Sequence, residues 1–336
     1  MKNIFLLLLV VAISACKPDN GAAKNSNGTG EPVKTETDQT ASPSVAMKDI
    51  SFNPDSAYSY VASQVAYGPR VPNTDAHIKT GLWLENELRR HGAAVTVQNA
   101  EIKAHDGTLL KAKNIIGQYN PDASDRLLLL AHWDSRPHAD KDPDPSKRNL
   151  PVDGANDGAS GVGVLLEIAR LMNVSGVKKG VDILFVDAED WGDEGIDDSW
   201  ALGTRYFIEN PPVKNYSPVA AILLDMVGGE NAIFCREYFS EKSAPHLAAE
   251  IWKTAASLGY DDIFQNRLGT AVNDDHVQLI ANGIPAIDII EYDPDRQSFN
   301  PRWHTTSDNM EGISRQTLGI VGETLWRYLN SSETNK

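Results

Sequence analysis

The chain has 336 residues, 41% hydrophobic and 23% charged, the balance of a globular protein that can bury a substantial core. A formal charge of −15 and a pI near 4.9 exclude nucleic acid as a partner, since no stretch supplies the basic face that phosphates require. Composition does not change again after residue 50, so one folded unit is expected from there onward.

The N-terminal stretch, MKNIFLLLLVVAISAC, carries one lysine and then an apolar run at 4–13 that is too short to cross a bilayer and suits a secretory signal. Its ending, Ile13-Ser14-Ala15-Cys16, resembles a bacterial lipobox, which implies cleavage before Cys16 and a lipid on that thiol. A plain secretory signal with an incidental cysteine is the other reading. Lipidation of Cys16 would leave Cys235 as the remaining thiol, so no intramolecular disulfide is expected, and Cys235 is assigned to the core. Residues 17–46 are rich in Asn, Gly, Thr, Ser and Pro with almost no large apolar side chain, and read as a flexible tether. The expected organisation is a lipoprotein signal peptide at 1–16, the tether at 17–46 and a catalytic domain at 47–336. Such a protein would be anchored in the cell envelope facing the periplasm, and Lys17 after the lipid site favours the outer membrane.

Helical periodicity covers 54–67 and 74–91, the second opening on Thr74-Asp75 and stopping at Gly92. VTVQNAEI at 95–102 and KNIIGQY at 113–119 read as strands, with Asp106-Gly107 as the hairpin turn between them. The next apolar runs, LLLLAH (127–132), VDILFVD (181–187), VAAILLD (219–225) and AIDIIE (286–291), are nearly continuous, as in strands buried on both faces. Helical segments lie between and after them, at 160–173, 199–209, 245–258, 275–282 and 314–329. This alternation predicts a single α/β domain, its mostly parallel mixed sheet covered by helices on both faces.

Three of these strands end in acids or histidine: His132 and Asp134, then Asp187, Glu189 and Asp190, then Asp225. Carboxyl ends of parallel strands form the ligand crevice of an open sheet, so residues far apart in sequence should converge there. Two loops add Asp157, in GANDGASG (154–161), and His304, in RWHTTSDN (302–309). Asp157, Asp190 and His304 offer two oxygens and one imidazole nitrogen with a fourth position open, the donor set of a catalytic zinc. Taken singly, Asp157 reads as a helix N-cap, Asp190 as a solvated loop acid and His304 as a hydrogen-bonding residue. Asp193, Glu194, Asp197 and Asp198 read as a solvated loop, with calcium as an alternative.

The series HWDS (132–135), GANDGASG (154–161), DAED (187–190), LLDMVG (223–228), NDDH (273–276), NGIP (282–285) and WHTTSDN (303–309) resembles the zinc aminopeptidase-like, M28-type fold. Within it, the match is closest to glutaminyl-peptide cyclotransferases of the bacterial lipoprotein form. The resemblance runs in order from about residue 50 to the end. It implies one Zn²⁺ per chain on Asp157, Asp190 and His304, with Glu189 as the acid/base and Asp225 and Asp274 in a carboxylate network beside it. Trp303, Phe299 and Trp200 would wall the substrate side chain. Asp190 departs from the animal pattern, which has Glu at that place.

The activity so implied is cyclisation of an N-terminal Gln to pyroglutamate with release of ammonia, an intramolecular acyl transfer. Zinc would polarise the γ-carbonyl and Glu189 would move one proton from the α-amine to the departing ammonia. The expected partners are peptides and proteins with N-terminal glutamine, with the membrane reached only through the lipid, and a monomer is expected. Two other readings stay open. A di-zinc aminopeptidase would use His132, Asp157 and Asp225 for a second metal. A non-catalytic binding domain would require a missing base or ligand, and none is missing.

Overall fold

Short-range signals set the first elements. In the computed structural model, which describes residues 50–177 and 179–331, Asn53 opens α1 (Pro54–Val65) by accepting from the amides of Asp55 and Ser56. Thr74 caps α2 (Asp75–Arg90) by accepting from His77 N, and the helix stops before Gly92, whose φ of 79° lies in the left-handed region. β1 (Ala94–Lys103) and β2 (Leu109–Tyr119) pair antiparallel across the Asp106-Gly107 turn, where Asp106 Oδ1 accepts from Thr108 N.

The main sheet is completed by β3 (Arg126–His132), β4 (Gly180–Val186), β5 (Ala220–Asp225) and β8 (Ala286–Ile290), in the order β1-β2-β4-β3-β5-β8. β2 meets β4 antiparallel, and β4, β3, β5 and β8 run parallel. All seven residues of β4 are buried, the condition that its unbroken apolar run requires. One face packs on α1, α2, α3 (Ala159–Ser175), α6 (Pro245–Ser257) and α8 (Arg315–Asn330) through Ile183, Phe185, Ile222 and Leu224. The other packs on α4 (Leu202–Glu209) and α7 (Asp275–Ala281) through Leu184, Val186, Leu128 and Leu223. The mixed, doubly covered α/β sheet expected from sequence is the observed one.

Three local features differ from expectation. A two-stranded parallel sheet pairs β6 (Phe234–Arg236) with β7 (Phe264–Leu268), and a short α5 (Tyr238–Ser243) follows β6. The helix expected at 199–209 is broken into a turn of 3-10 helix at Asp197–Ser199 and then α4. The amides of Ala201 and Leu202 donate to Glu189 O and Ala188 O, so the acid-bearing turn, not the helix, takes those donors. Cys235 is buried, as assigned. Cys16 and the expected signal peptide and tether lie outside the described residues, and among the described residues no helix is long and apolar enough to cross a membrane.

Candidate metal centre and active-site cleft

Because β3 and β4 are in register from Arg126 and Gly180 to His132 and Val186, the segments leaving them emerge side by side. After β4 the chain turns sharply, with Ala188 at φ 55°, and Asp134 from the β3 exit accepts both Glu189 N and Asp190 N at 3.1 Å. A matching clamp holds the other acid loop, where Asp308 accepts Asn156 N at 2.8 Å and Asp157 N at 3.1 Å. Gly158, not Asp157, stands at the N-cap of α3, and the helix has no side-chain cap; the N-cap reading of Asp157 therefore falls. A Cβ on Gly158 would lie 2.6 Å from His132 Cδ2, so the turn behind Asp157 admits only glycine.

Asp157, Asp190 and His304 are all buried and present ligand atoms within 4.8 Å of one another. His304 Nε2 lies 3.3 Å from Asp190 Oδ1 and 3.7 Å from Asp157 Oδ2, while its Nδ1 lies 3.4 Å from Asp140 Oδ1. Asp190 Oδ2 is buried with no hydrogen-bond partner. A carboxylate with an unpartnered buried oxygen, grouped with another carboxylate and an imidazole backed by an acid, is satisfied by a divalent cation, and the donor set is that of zinc with its fourth position open. Burial disfavours charge on His304, but the Asp190 charge and the bond to Asp140 prevail and push the metal-free ring up to about 9.

Glu189 stands next to this set and is 8% exposed. Burial holds its carboxyl well above the ordinary range; His132 opposes this and the charges of Asp274 and Asp190 add to it. Asp225 is pushed up to about 7 by burial, against its bond to His132 and with the Asp157 charge. Asp274 is raised by burial as well. The Asp225 and Asp274 carboxyls thus share one crowded acid neighbourhood with Glu189.

Asp157, Glu189, Asp190, Asp225, Asp274 and His304 line one cleft of ≈ 220 Å³ together with Trp200, Phe299 and Trp303. Trp303 stacks on the His304 ring at 3.9 Å between centroids, Trp200 stands 6.1 Å from it nearly parallel, and Phe299 packs on Trp303 at 4.7 Å. Left-handed backbone at Ala188, Ala201, Met226 and His304 brackets the cleft, local strain of the kind that ordered functional sites hold. The loop acids do not converge: Glu194 pairs with Lys141 and Asp198 with Arg205.

Several residues at this site escaped sequence reasoning. Arg70 is fully buried and donates to Trp133 O, Asp153 O and Gly154 O, tying the Asp157 loop to the β3 exit. Arg136 donates to Asp190 O and Gly192 O and pairs with Asp140, with its guanidinium 4.9 Å from the Trp200 ring centroid. Asp187 is scaffold, bonded to His77 at 2.8 Å.

A doubly covered α/β sheet with a three-ligand acid and imidazole site at the strand ends defines a metallopeptidase-like class. Residues 114–329 match Peptidase family M28, and the chain belongs to that family. It is similar to the glutaminyl cyclase of Bacteroides thetaiotaomicron, crystallised with N-acetylhistamine, at 47% identity and TM-score 0.82, over 84% of this chain and 99% of that one. A Zn-dependent exopeptidase from Parabacteroides distasonis is similar at 51% identity and TM-score 0.82, over 84% and 99%. The bovine glutaminyl-peptide cyclotransferase is 25% identical over 63% of this chain and 64% of its own length, and the chain spans 52% of the length of aminopeptidase YwaD of Bacillus subtilis.

Proposed function

We propose that this protein is a zinc-dependent glutaminyl-peptide cyclotransferase, closing the N-terminal Gln of peptides and proteins to pyroglutamate and releasing ammonia. Glutaminyl cyclases similar over 83–84% of this chain and 98–100% of their own length support the reading. The observation that carries it is the pairing of a buried carboxyl, Glu189, with an open three-ligand metal set inside a small cleft walled by aromatic rings.

Asp157, Asp190 and His304 would hold one zinc, which when bound supplies Lewis-acid polarisation of the γ-amide carbonyl. Glu189 accepts the proton of the attacking α-amine and returns it to the departing ammonia, so one carboxyl serves both halves of the reaction. Its high proton affinity suits it to hold that proton between the two steps. Trp200, Phe299 and Trp303 fold the short side chain back on itself and keep out water, whose attack on the amide would give a hydrolysed product instead.

Incubating the purified chain with a Gln-initiated peptide should give loss of one ammonia per peptide and no free amino acid. Release of amino acids would sink the proposal. Glu189→Gln should lower turnover by about 10²- to 10⁴-fold with zinc content unchanged; full activity would remove Glu189 from the chemistry.

One observation favours a second reading. His132 Nε2 lies 3.0 Å from Asp157 Oδ1 and 3.2 Å from Asp225 Oδ1, a donor group that shares Asp157 with the first. A di-zinc aminopeptidase would put a metal there in place of the ring proton. Metal analysis decides: two tightly held zincs per chain with peptide trimming favours the aminopeptidase.

The N-terminal motif supports a lipoprotein acylated on Cys16 and facing the periplasm, with Lys17 favouring the outer membrane. Cys16→Ala should move the protein from the detergent phase to the aqueous phase on partition; no change would leave the lipobox without a role.

A further inference from the structure

Beneath the cleft lies a set of titratable side chains that the reaction above does not use. Asp274 reaches the cleft, yet no donor reaches its Oδ2. One layer deeper, Asp288 on β8 and His276 in the first turn of α7 are 0% exposed, with ligand-type atoms within 4.8 Å of that of Asp274. Both Asp288 oxygens and His276 Nδ1 also lack a hydrogen-bond partner. The two face each other, Nδ1 standing 3.7 Å from Asp288 Oδ2.

The far side of the histidine fixes what this side can offer. Glu237 Oε2, 3.1 Å from His276 Nε2, already accepts from Ser240 N and Ser240 Oγ at 2.7 Å each, and Glu237 Oε1 accepts from the amides of Phe239 and Val272. A carboxylate so supplied with donors can only accept from the ring, so Nε2 is committed to Glu237 and of the ring only Nδ1 faces Asp288. Asp274 Oδ2 and both Asp288 oxygens are carboxyl oxygens crowded in a dry place, each short of a donor. One retained proton relieves the crowding. Burial, reinforced by the charges of Asp274 and Asp225, holds the Asp288 carboxyl well above the ordinary range.

We propose that Asp288 remains un-ionised in the working protein and donates its O–H to Asp274, as the positioning residue that fixes the Asp274 carboxylate at the cleft floor beside Glu189. The proposal deepens the cyclotransferase reading and rests on it for its kinetic effect, while its protonation state stands apart from any activity. A bound cation is the competing occupant, because two carboxylates and an imidazole can also ligate metal.

Infrared difference spectroscopy of the zinc-loaded protein, Asp288→Asn against the natural chain at neutral pH, should show loss of the C=O stretch of an un-ionised carboxyl. No lost band overturns the proposal, whether or not the enzyme cyclises glutamine. In turnover, Asn donates through its amide where the acid did, so Asp288→Asn should stay within about threefold of the natural kcat. Asp288→Ala should lose on the order of tenfold or more, with KM and zinc content unchanged. Equal losses in the two variants overturn the donor role. A second tightly held metal ion that disappears in Asp288→Asn overturns the proposal in favour of a cation site.

Discussion

Asp134 does for the metal-ligand turn what an N-cap does for a helix: one carboxylate gathers two consecutive amides, here those of Glu189 and Asp190, at 3.1 Å each. Asp308 repeats the device on Asn156 and Asp157. Each clamp fixes a backbone whose next atoms are a proposed ligand or base, so its loss should appear as misplaced ligands before it appears as unfolding. Asp134→Asn keeps one acceptor and turns an NH₂ group toward the other amide, and zinc affinity should fall about 10- to 100-fold. Competition with a chromophoric chelator measures it, and an unchanged affinity would deny the clamp its role. Residue type made Asp157, Asp190 and His304 legible, since oxygen and imidazole donors at a strand end and in the loops expected to meet it advertise themselves. Arg70 and Arg136 were not legible because their partners are mostly main-chain carbonyls, which every residue carries and no motif marks. Asp134 and Asp308 sat inside quoted motifs, HWDS and WHTTSDN, without a signal to tell a clamp from a ligand.

At the scale of elements, the long buried strands declared themselves through unbroken apolar runs, and the helices between them through period and caps. β6 spans three residues and β7 buries only Phe264, leaving Gln265 to Leu268 partly or fully exposed, so neither offers the apolar density that marks a strand. The late start of α4 has a different origin: its first donors are claimed by a turn remote in sequence, a tertiary effect with no local trace. Gly163 illustrates how packing overrides propensity. A mid-helix glycine weakens a helix by about 1 kcal/mol relative to alanine, yet a Cβ there would lie 2.6 Å from Val61 Cγ2 and 2.9 Å from Ala57 O on α1. The close crossing of α1 and α3 needs the bare backbone. Gly163→Ala should therefore destabilise by about 1–3 kcal/mol despite the better helix former, read as a lower urea midpoint at unchanged slope. A stabilised variant would mean that the two helices part at little cost.

For the molecule as a whole, the formal charge of −15 matters most where acids are densest and driest, at the cleft. Without metal, His304 at about 9 supplies one compensating charge to Asp190 and Asp140. A folded pKa above the ordinary histidine value means that this contribution is fully present below about pH 6.5 and is lost as pH rises through about 9. Metal-free protein should thus lose on the order of 3 kcal/mol over that window from this group. Zinc reverses the slope. It binds the deprotonated ring, so its apparent affinity should climb with pH as the competing proton leaves, and stabilisation by a ligand grows as RT ln(1 + [L]/Kd). The gap in melting temperature between zinc-loaded and chelator-treated protein should widen steadily from pH 6.5 to 9, and zinc uptake at pH 7 should release a proton, seen as a buffer-dependent heat in calorimetry. His304→Gln should abolish the widening and weaken the metal. If the gap were constant across the window, the ring would already be neutral in the metal-free protein, and the ion pairing of His304 with Asp190 and Asp140 would not be what holds the empty cleft together.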